Sequence, residues 1–187
     1  MPLTTLDPKT ALIVVDLQKG VAAMAPAGTF DPVVARSRAL ADAFRARGLP
    51  VVLVNVDGVA PGRTEEPRRF TGAFPPGFTD LAPELGPQPG DIRVTKQSWG
   101  AFATTDLEQR LKALGVTQVV VTGVSTGTGV EATARQAYEA GFNVTLAVDA
   151  MADPRPGAHD RSLAHVFPRL GETGTTDDII ALLDKGA

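Results

Sequence analysis

The segment Ala11-Leu12-Ile13-Val14-Val15-Asp16 decides the fold, because five apolar residues follow one another without interruption and end at a carboxylate. Similar apolar runs occupy residues 51–54, 119–121 and 144–148, and the last of these also ends at an aspartate, Asp149. A strand with one solvated face alternates apolar and polar residues, whereas a continuous apolar run indicates a strand buried on both faces. The sequence therefore predicts a parallel sheet that is covered by helices.

Helical patterns fill the intervals between these runs, at residues 32–47, 106–114, 130–140 and 158–167. Glycines follow three of these segments (Gly48, Gly115 and Gly141), where a helix commonly ends. Shorter strands are expected near Ile92-Arg93-Val94 and Arg169-Leu170. The alternation of strand and helix predicts a three-layer, doubly wound, Rossmann-like α/β domain over residues 1–187, with about six parallel strands and helices on both faces.

Composition excludes several classes of protein. The 187 residues include 18 Lys+Arg and 21 Asp+Glu, a net charge of −3, so no basic excess indicates a nucleic-acid or membrane partner. Cysteine is absent, which excludes disulfides, cysteine-ligated metals and a cysteine nucleophile. No apolar stretch is long enough to span a bilayer. We expect a cytoplasmic protein that acts on a small molecule.

Polar residues at the strand ends are the candidates for chemistry, because ligands of doubly wound sheets bind at the carboxyl ends of the strands. They are Asp16 and Gln18 after the first strand, Asn55 and Asp57 after the second, Lys96 after the third, residues 123–129 after the fourth and Asp149 after the fifth. A carboxylate at the end of an apolar strand can exchange a proton, and a lysine beside it can orient it. The alternative for Asp16 and Lys96 is a structural ion pair.

The glycine-rich segment Gly123-Val124-Ser125-Thr126-Gly127-Thr128-Gly129-Val130-Glu131 admits two interpretations. Thr128 and Glu131 fit a capping box, which would make Gly129 the first residue of a helix whose amides face the strand-end crevice and could hold an anion. Alternatively, the glycines serve only tight packing. The segment Gly127-x-Gly129-x-x-Ala132 also matches a dinucleotide-binding fingerprint, with Asp149 at the spacing of the ribose-binding acid.

Several remaining residues have weaker signals. Trp99 and Phe102 follow Lys96 closely and could form an apolar wall of a binding pocket, or could be core residues. The only two histidines, His159 and His165, lie six residues apart on different helical faces, which favours no metal site. Residues 58–90 hold seven of the fifteen prolines, six glycines, and Arg63, Arg68 and Arg69. Such a loop forms either a binding wall or lid, or a surface or subunit contact.

Three of these motifs together resemble the isochorismatase-like hydrolases of the cysteine hydrolase superfamily. They are Val14-Val15-Asp16-Leu17-Gln18, then Lys96-Gln97-Ser98-Trp99-Gly100-Ala101-Phe102 with Thr105-Asp106-Leu107, and then Val121-Thr122-Gly123-Val124 with Val130-Glu131-Ala132-Thr133-Ala134. They occur in the family's order and span most of the chain. The resemblance implies a six-stranded Rossmann-like fold, a homodimer or larger homo-oligomer, and a cis peptide bond between Val124 and Ser125.

The resemblance also implies roles for individual residues. Most members of the family are amidases with an Asp, Lys and Cys triad, to which Asp16 and Lys96 correspond, but Gly129 stands at the cysteine position. The true isochorismatases also carry glycine there and cleave a vinyl ether, using the aspartate to protonate the vinyl carbon. We expect Asp16, Lys96 and Gly129 to be catalytic and Gln18, Trp99, Phe102, Ser125 and Thr128 to bind substrate. Zinc-binding members use histidines near Asp57 that this chain lacks, so we expect neither a metal nor a cofactor.

Three hypotheses of different classes remain at this point. The first is a cysteine-independent hydrolase in which Asp16 is a general acid that cleaves a vinyl ether or a related C–O or C–N bond. The second is a non-catalytic descendant that binds a small carboxylate in the same pocket. The third is a nucleotide-binding protein built on the glycine fingerprint.

Overall fold

The computed structural model describes residues 3–67, 70 and 72–185. The ends of the predicted domain (Met1, Pro2, Gly186 and Ala187) lie outside the described residues, as do Arg68, Arg69 and Thr71 of the 58–90 segment.

A parallel sheet of six strands runs through the described residues. Its strands are β1 (Thr10–Val15), β2 (Val51–Val56), β3 (Ile92–Lys96), β4 (Gln118–Val124), β5 (Asn143–Ala152) and β6 (Glu172–Gly174). Their spatial order is β3-β2-β1-β4-β5-β6, and every adjacent pair is parallel. The direction of strand succession reverses between β1 and β4, so the ligand crevice of such a sheet is expected beside the carboxyl ends of these two strands.

Helices cover both faces of the sheet, as predicted. They are α1 (Lys19–Ala22), α2 (Phe30–Ala46), α3 (Leu107–Ala113), α4 (Glu131–Glu139), α5 (Ala158–Arg161) and α6 (Thr176–Lys185). Alternate residues of β1 serve the two faces: Ile13 and Val15 pack with α3 and α4, whereas Leu12 and Val14 pack with α2 and α6. Both sets of side chains are almost fully buried, which explains the continuous apolar run. The three-layer α/β fold class is confirmed.

The capping box predicted at Thr128 and Glu131 is wrong. A π-helical turn occupies Thr126–Val130 and leads directly into α4, so helical structure begins before Thr128. The Glu131 carboxylate does not cap this turn. It accepts hydrogen bonds from the Ser162 hydroxyl at 2.7 Å and from the Arg135 guanidinium at 3.0 Å. A buried partner 31 residues away in sequence therefore takes the glutamate that a local cap would use.

The last third of the chain differs from the prediction in two further places. A 3₁₀ turn that contains Pro168 spans Phe167–Arg169, where a strand was predicted. The strand itself lies later in the chain, at β6. The helix α6 was not predicted. Its start is capped locally, since the Asp178 carboxylate accepts from the Thr175 amide at 2.9 Å and the Thr175 hydroxyl accepts from the Asp178 amide at 3.2 Å. The Asp149 carboxylate adds hydrogen bonds from the Thr176 amide and hydroxyl at 2.7 and 3.0 Å.

Close contact between β1 and β4 at their carboxyl ends requires glycine at position 123. Gly123 has φ +115°, and a Cβ built there would lie 2.1 Å from the Val15 carbonyl oxygen. Both the backbone conformation and the contact therefore exclude a side chain. Asp16 directly follows Val15, so this close contact also places Asp16 beside the carboxyl end of β4.

Replacing Gly123 by alanine should destabilise the fold strongly. We expect Gly123→Ala to lower the free energy of unfolding by about 3 kcal/mol, since the methyl group must displace backbone and take an unfavourable φ. Gly90→Ala is the control, because a Cβ there meets no atom within 4 Å. Urea denaturation of both variants measures the difference, and equal stabilities would show that the strands do not approach as described.

Candidate active site

Asp16 lies in a tight turn at the end of β1. It has φ +54°, a conformation that is uncommon for residues other than glycine. Its amide donates to the Val54 carbonyl at 2.9 Å, and its own carbonyl accepts from the Gln18 amide at 2.9 Å. The chain therefore leaves the sheet while the Asp16 side chain stays buried, with 7% of the residue exposed.

Lys96 forms an ion pair with Asp16 across the intervening strand. Its register places it beside Val56 at the end of β2, so the lysine side chain reaches past one strand to arrive at β1. The Nζ atom lies 2.7 Å from Asp16 Oδ2 and donates a second hydrogen bond to the Ser98 carbonyl at 3.1 Å. Lys96 is 1% exposed, so this contact is almost entirely removed from water.

The two oxygens of the Asp16 carboxyl group have different surroundings. Oδ2 is held by Lys96, whereas Oδ1 is buried and is the single buried side-chain polar atom without a hydrogen-bond partner among the described residues. Burial raises the pKa of Asp16 to about 6, and the positive charge and hydrogen bond of Lys96 act in the opposite direction. A carboxyl group with this pKa exchanges its proton near neutral pH, and Oδ1 is the oxygen free to carry it.

Gly129 completes the predicted convergence at the carboxyl ends of the strands. A Cβ built on Gly129 would lie 3.2 Å from Asp16 Oδ2 and 3.1 Å from the Val124 carbonyl oxygen. The π-helical turn that contains Gly129 is closed by hydrogen bonds from the Thr128 and Val130 amides to the Ser125 carbonyl, both 3.1 Å. The cis peptide bond between Val124 and Ser125 is present. The predicted geometry of the three positions is therefore confirmed, while their catalytic roles stay predictions.

The five residues predicted to bind substrate fall into distinct environments. Trp99 is 62% exposed, so its role in a pocket wall stays a prediction, whereas Phe102 is 8% exposed and packs with Phe142 in the core, at a ring-centroid distance of 6.0 Å. Ser125 and Thr128 are partly exposed on the turn around Gly129. Phe102 therefore lies in the core, which was the alternative to its predicted role in the wall of a binding pocket.

Gln18 is fully buried and fixes the backbone around the site. Its Oε1 accepts from the Val56 amide at 2.7 Å, and its Nε2 donates to the carbonyls of Val56 and Phe78, each at 3.1 Å. Both amide hydrogens of Gln18 therefore bind backbone carbonyls. The structure leaves neither of them free for the predicted contact with a substrate.

The 58–90 segment returns to the sheet beside the site. Residues 78–82 run antiparallel to residues 17–20, with hydrogen bonds from the Gly20 amide to the Phe78 carbonyl and from the Ala82 amide to the Leu17 carbonyl. Phe78 stacks on Phe74 at 4.4 Å and leaves no room for a side chain at Gly20. This part of the segment therefore forms a wall over the turn that follows Asp16.

Asp149, which the dinucleotide-binding hypothesis needs as the ribose-binding acid, is already bound within the protein. Asp149 Oδ1 accepts the two hydrogen bonds from Thr176, and Oδ2 pairs with the Arg36 guanidinium at 3.1 Å. The Gly127 amide, which the fingerprint would direct at a phosphate, donates instead to the Asp153 carboxylate at 2.7 Å. A ligand would have to displace both internal contacts, so the structure disfavours this hypothesis.

Several residues that shape the site were missed in the sequence. Asp153, His159, Thr133 and Gln136 each bind a loop near Gly129 or Lys96: His159 Nδ1 lies 3.0 Å from Thr126 Oγ1, and Gln136 Oε1 accepts from the Phe102 amide at 2.9 Å. Thr133 lies within the third family motif but was given no role there. No sequence pattern marks the other three, whose partners lie 26 to 34 residues away.

Residues 3–67, 70 and 72–185 contain neither a candidate metal cluster nor a candidate transmembrane helix. Within them, no group of three or more His, Cys, Asp or Glu residues could hold a metal ion. No helix of the described chain is both long and apolar enough to cross a bilayer.

Removing the lysine should make stability strongly dependent on pH. The folded pKa of Asp16 lies above its ordinary value of 3.8, so its protonated form is stabilised by folding, and that contribution is lost as the pH rises from about 4 through 6. Lys96→Met removes the group that lowers this pKa and therefore extends the loss to higher pH. Relative to the unmodified protein, we expect Lys96→Met to lower the free energy of unfolding by about 3 kcal/mol at pH 8, where Asp16 must be charged without a partner or take up a proton. At pH 5 the decrease should be smaller.

The control for this prediction is Lys19→Met, which breaks an exposed ion pair with Asp80 at 3.0 Å. It should cost under about 1 kcal/mol at both pH values. Guanidinium denaturation at the two pH values measures all three proteins, and a Lys96→Met loss that does not grow with pH would contradict the described burial of Asp16.

Comparisons with known proteins agree with the fold. The model of the isochorismatase domain matches residues 10–178. The uncharacterized isochorismatase family protein YecD of Escherichia coli O157:H7 is 39% identical over 183 residues, which cover 93% of this chain and 96% of that protein. The ureidoacrylate amidohydrolase RutB of Methylobacterium radiotolerans is 31% identical over 199 residues, covering 89% of this chain and 76% of that enzyme.

A solved structure of an isochorismatase family protein from Burkholderia thailandensis superimposes with a TM-score of 0.91 at 40% identity, covering 96% of this chain and 98% of that chain. The family model spans most of the sequence, and the relatives align over nearly its whole length. With the six-stranded sheet and the aspartate–lysine pair at its carboxyl edge, these matches show that the chain belongs to the isochorismatase family of hydrolases.

Proposed function

We propose that this protein is a hydrolase in which Asp16 acts as a general acid and no cysteine nucleophile takes part. The observation that carries the proposal is the asymmetry of the Asp16 carboxyl group. One oxygen is held by Lys96, the other is buried and unpartnered within the described residues, and the pKa of about 6 keeps a substantial protonated fraction near neutral pH. A buried acceptor without a partner costs about 1–3 kcal/mol, which a proton or a substrate group at that position would offset.

The reaction that fits this arrangement is hydrolysis of a vinyl ether or a related C–O or C–N bond. Asp16 transfers the proton on Oδ1 to the terminal vinyl carbon, and the ether oxygen shares the positive charge of the resulting oxocarbenium ion. Water adds to the cationic carbon and returns a proton to Asp16. The hemiacetal then breaks into an alcohol and a carbonyl compound, so the sum consumes one water and leaves the carboxyl group unchanged.

Lys96 has two roles in this proposal. It fixes Oδ2, so that the proton resides on the opposite oxygen, and it stabilises the carboxylate that remains after proton transfer. Because both groups are nearly excluded from water, the attraction between them is stronger than at the surface.

We infer that Gly129 occupies the position at which most relatives carry the nucleophilic cysteine. The inference rests on the resemblance of the surrounding motif, on the absence of cysteine from the chain, and on the 3.2 Å between the Gly129 Cβ position and Asp16 Oδ2. A side chain at Gly129 would take space directly beside the acid. Glycine therefore leaves room for the substrate where an amidase of this family would place its thiol.

The alternative is a protein that binds a small carboxylate at this site without catalysis. Lys96 is the cation at the centre of the site, but it is buried and already paired with Asp16. A carboxylate ligand would have to compete with Asp16 for it, which favours the enzyme over the binder. The homo-oligomeric state and the cytoplasmic location stay predictions.

The experiment that tests the proposal compares Asp16→Asn with the unmodified protein over a panel of vinyl ethers, linear amides and cyclic amides. Asn keeps the size of the side chain and its hydrogen bonding but carries no transferable proton. We expect turnover to fall by about 10²–10⁴, with substrate affinity nearly unchanged. Turnover of the unmodified protein should fall about tenfold per pH unit above roughly 6, where Asp16 loses its proton.

Asp57→Asn provides the matched control, because Asp57 is an exposed aspartate that also follows a strand. It should leave turnover unchanged. If Asp16→Asn turns over any substrate at the unmodified rate, acid catalysis by Asp16 is wrong. If ligands of the panel bind to the unmodified protein and none is turned over, the binding protein is the better description.

A further inference from the structure

The loop between β3 and α3 is bound to the helix α4 through three successive backbone amides. The Ala101 amide donates a hydrogen bond to Thr133 Oγ1 at 3.2 Å. The Phe102 and Ala103 amides donate to Gln136 Oε1 at 2.9 and 3.3 Å. Residues three positions apart lie on the same face of an α-helix, so both acceptors of α4 face the loop.

Gln136 packs directly against the backbone of this loop. A Cβ built on Gly100 would clash with Gln136 Oε1, so a side chain at position 100 would push the amide group away from the two amides that it accepts. The loop is also closed on itself, since the Thr105 hydroxyl donates to the Ala101 carbonyl at 2.6 Å. Gln136 therefore holds a closed turn rather than an extended segment.

Thr133 joins the same loop to the π-helical turn that contains Gly129. Its hydroxyl donates to the Gly129 carbonyl at 2.7 Å. Because an amide can only donate and a carbonyl can only accept, the hydroxyl must accept from Ala101 and donate to Gly129. Thr133 is fully buried, so water does not substitute for either bond. One hydroxyl thus fixes the loop relative to Gly129.

The loop supplies the second hydrogen-bond acceptor of Lys96. The Ser98 carbonyl accepts from Lys96 Nζ at 3.1 Å, and Asp16 Oδ2 lies 2.7 Å from the same Nζ atom. A buried ammonium group requires such acceptors, and Lys96 is 1% exposed. Ser98 lies only three residues before Ala101, so the hold of α4 on the loop also determines where this carbonyl lies.

We propose that Thr133 and Gln136 are positioning residues for the buried ion pair. From α4 they hold the loop whose Ser98 carbonyl keeps the Lys96 ammonium group against Asp16. They act through the loop backbone, because neither side chain makes its hydrogen bonds with the ion pair itself. The proposal rests on the proposed function only for the use that a reaction makes of Asp16, and the geometry it claims can be measured without turnover.

Two variants remove the hold of α4 on the loop. Thr133→Val keeps the volume of the side chain and removes both of its hydrogen bonds, and Gln136→Met keeps the length and removes the acceptor. Thr133→Ser retains the hydroxyl and is the conservative variant. Thr145→Val is one control, since it removes a buried hydroxyl near the amino end of β5. Gln109→Met is the other, since it replaces an exposed glutamine on α3.

The primary measurement is the titration midpoint of the Asp16 carboxyl carbon by nuclear magnetic resonance in each variant. The positive charge of Lys96 lowers the pKa of Asp16, and an ammonium group that loses the Ser98 carbonyl is held less closely to the carboxylate. We expect the midpoint to rise by about half a pH unit in Thr133→Val and in Gln136→Met. Thr133→Ser and the two controls should stay at the midpoint of the unmodified protein.

Turnover gives a second measurement once the panel has identified a substrate. Thr133→Val and Gln136→Met should lower kcat about tenfold with KM nearly unchanged, because the acid is misplaced while the rest of the site is intact. The alkaline limb of the pH profile should move to higher pH together with the midpoint.

A midpoint that stays where it is or falls in either Thr133→Val or Gln136→Met would overturn the proposal. So would a rise of the same size in Thr133→Ser or Thr145→Val, since the effect would then follow from general destabilisation. If Thr133→Val does not fold, Gln136→Met decides, because Gln136 is only partly buried.

These outcomes separate the failure of this proposal from that of the proposed function. Raised midpoints together with full turnover by Asp16→Asn would support the role of Thr133 and Gln136 and contradict acid catalysis. Unchanged midpoints together with turnover that depends on Asp16 would do the reverse.

Discussion

The buried ion pair between Asp16 and Lys96 is the interaction on which the site depends. It joins β1 to β3 across β2, at a distance of 2.7 Å and almost without exposure to water. Removing two charges from water is costly, and a pair of apolar residues of similar volume often gives equal or greater stability. Burial of the pair therefore contributes little as a device for holding the sheet together. The pair instead provides a carboxyl group with a pKa of about 6, in which Oδ1 has no hydrogen-bond partner among the described residues.

Much of the surrounding structure serves to hold the backbone near this pair. Gly123 lets β4 approach the end of β1, and Gln18 ties the turn after Asp16 to β2 and to the returning part of the 58–90 segment. Asp153 holds the Gly127 amide, and Glu131 binds Ser162 beneath the π-helical turn. These contacts connect chain segments that are distant in sequence. They fix the position of Gly129 relative to Asp16, on which any reaction at this point depends.

The strands could be predicted from the sequence because burial on both faces leaves a continuous apolar run, as in residues 11–15. Asp16 and Lys96 followed from the position of polar residues at strand ends. Local patterns failed where a distant partner decides the outcome. Glu131 has a spacing from Thr128 that suits a cap, but Ser162 binds it. The helix α6 was missed although its start carries a local signal, because Thr175 and Asp178 cap each other there. Phe102 could equally have been a pocket wall, since no local feature distinguishes a core aromatic residue from one that lines a site.

In the folded protein, we expect the Asp16 carboxyl group to lose its proton near pH 6. Nuclear magnetic resonance titration of the side-chain carboxyl carbons, with Asp16 assigned by comparison with Asp16→Asn, measures this directly. Burial against the partial compensation of Lys96 predicts a midpoint close to 6 for Asp16. A midpoint at or below the ordinary aspartate value of about 3.9 would show that Lys96 dominates over burial, and Asp16 would then be a permanent carboxylate and no acid.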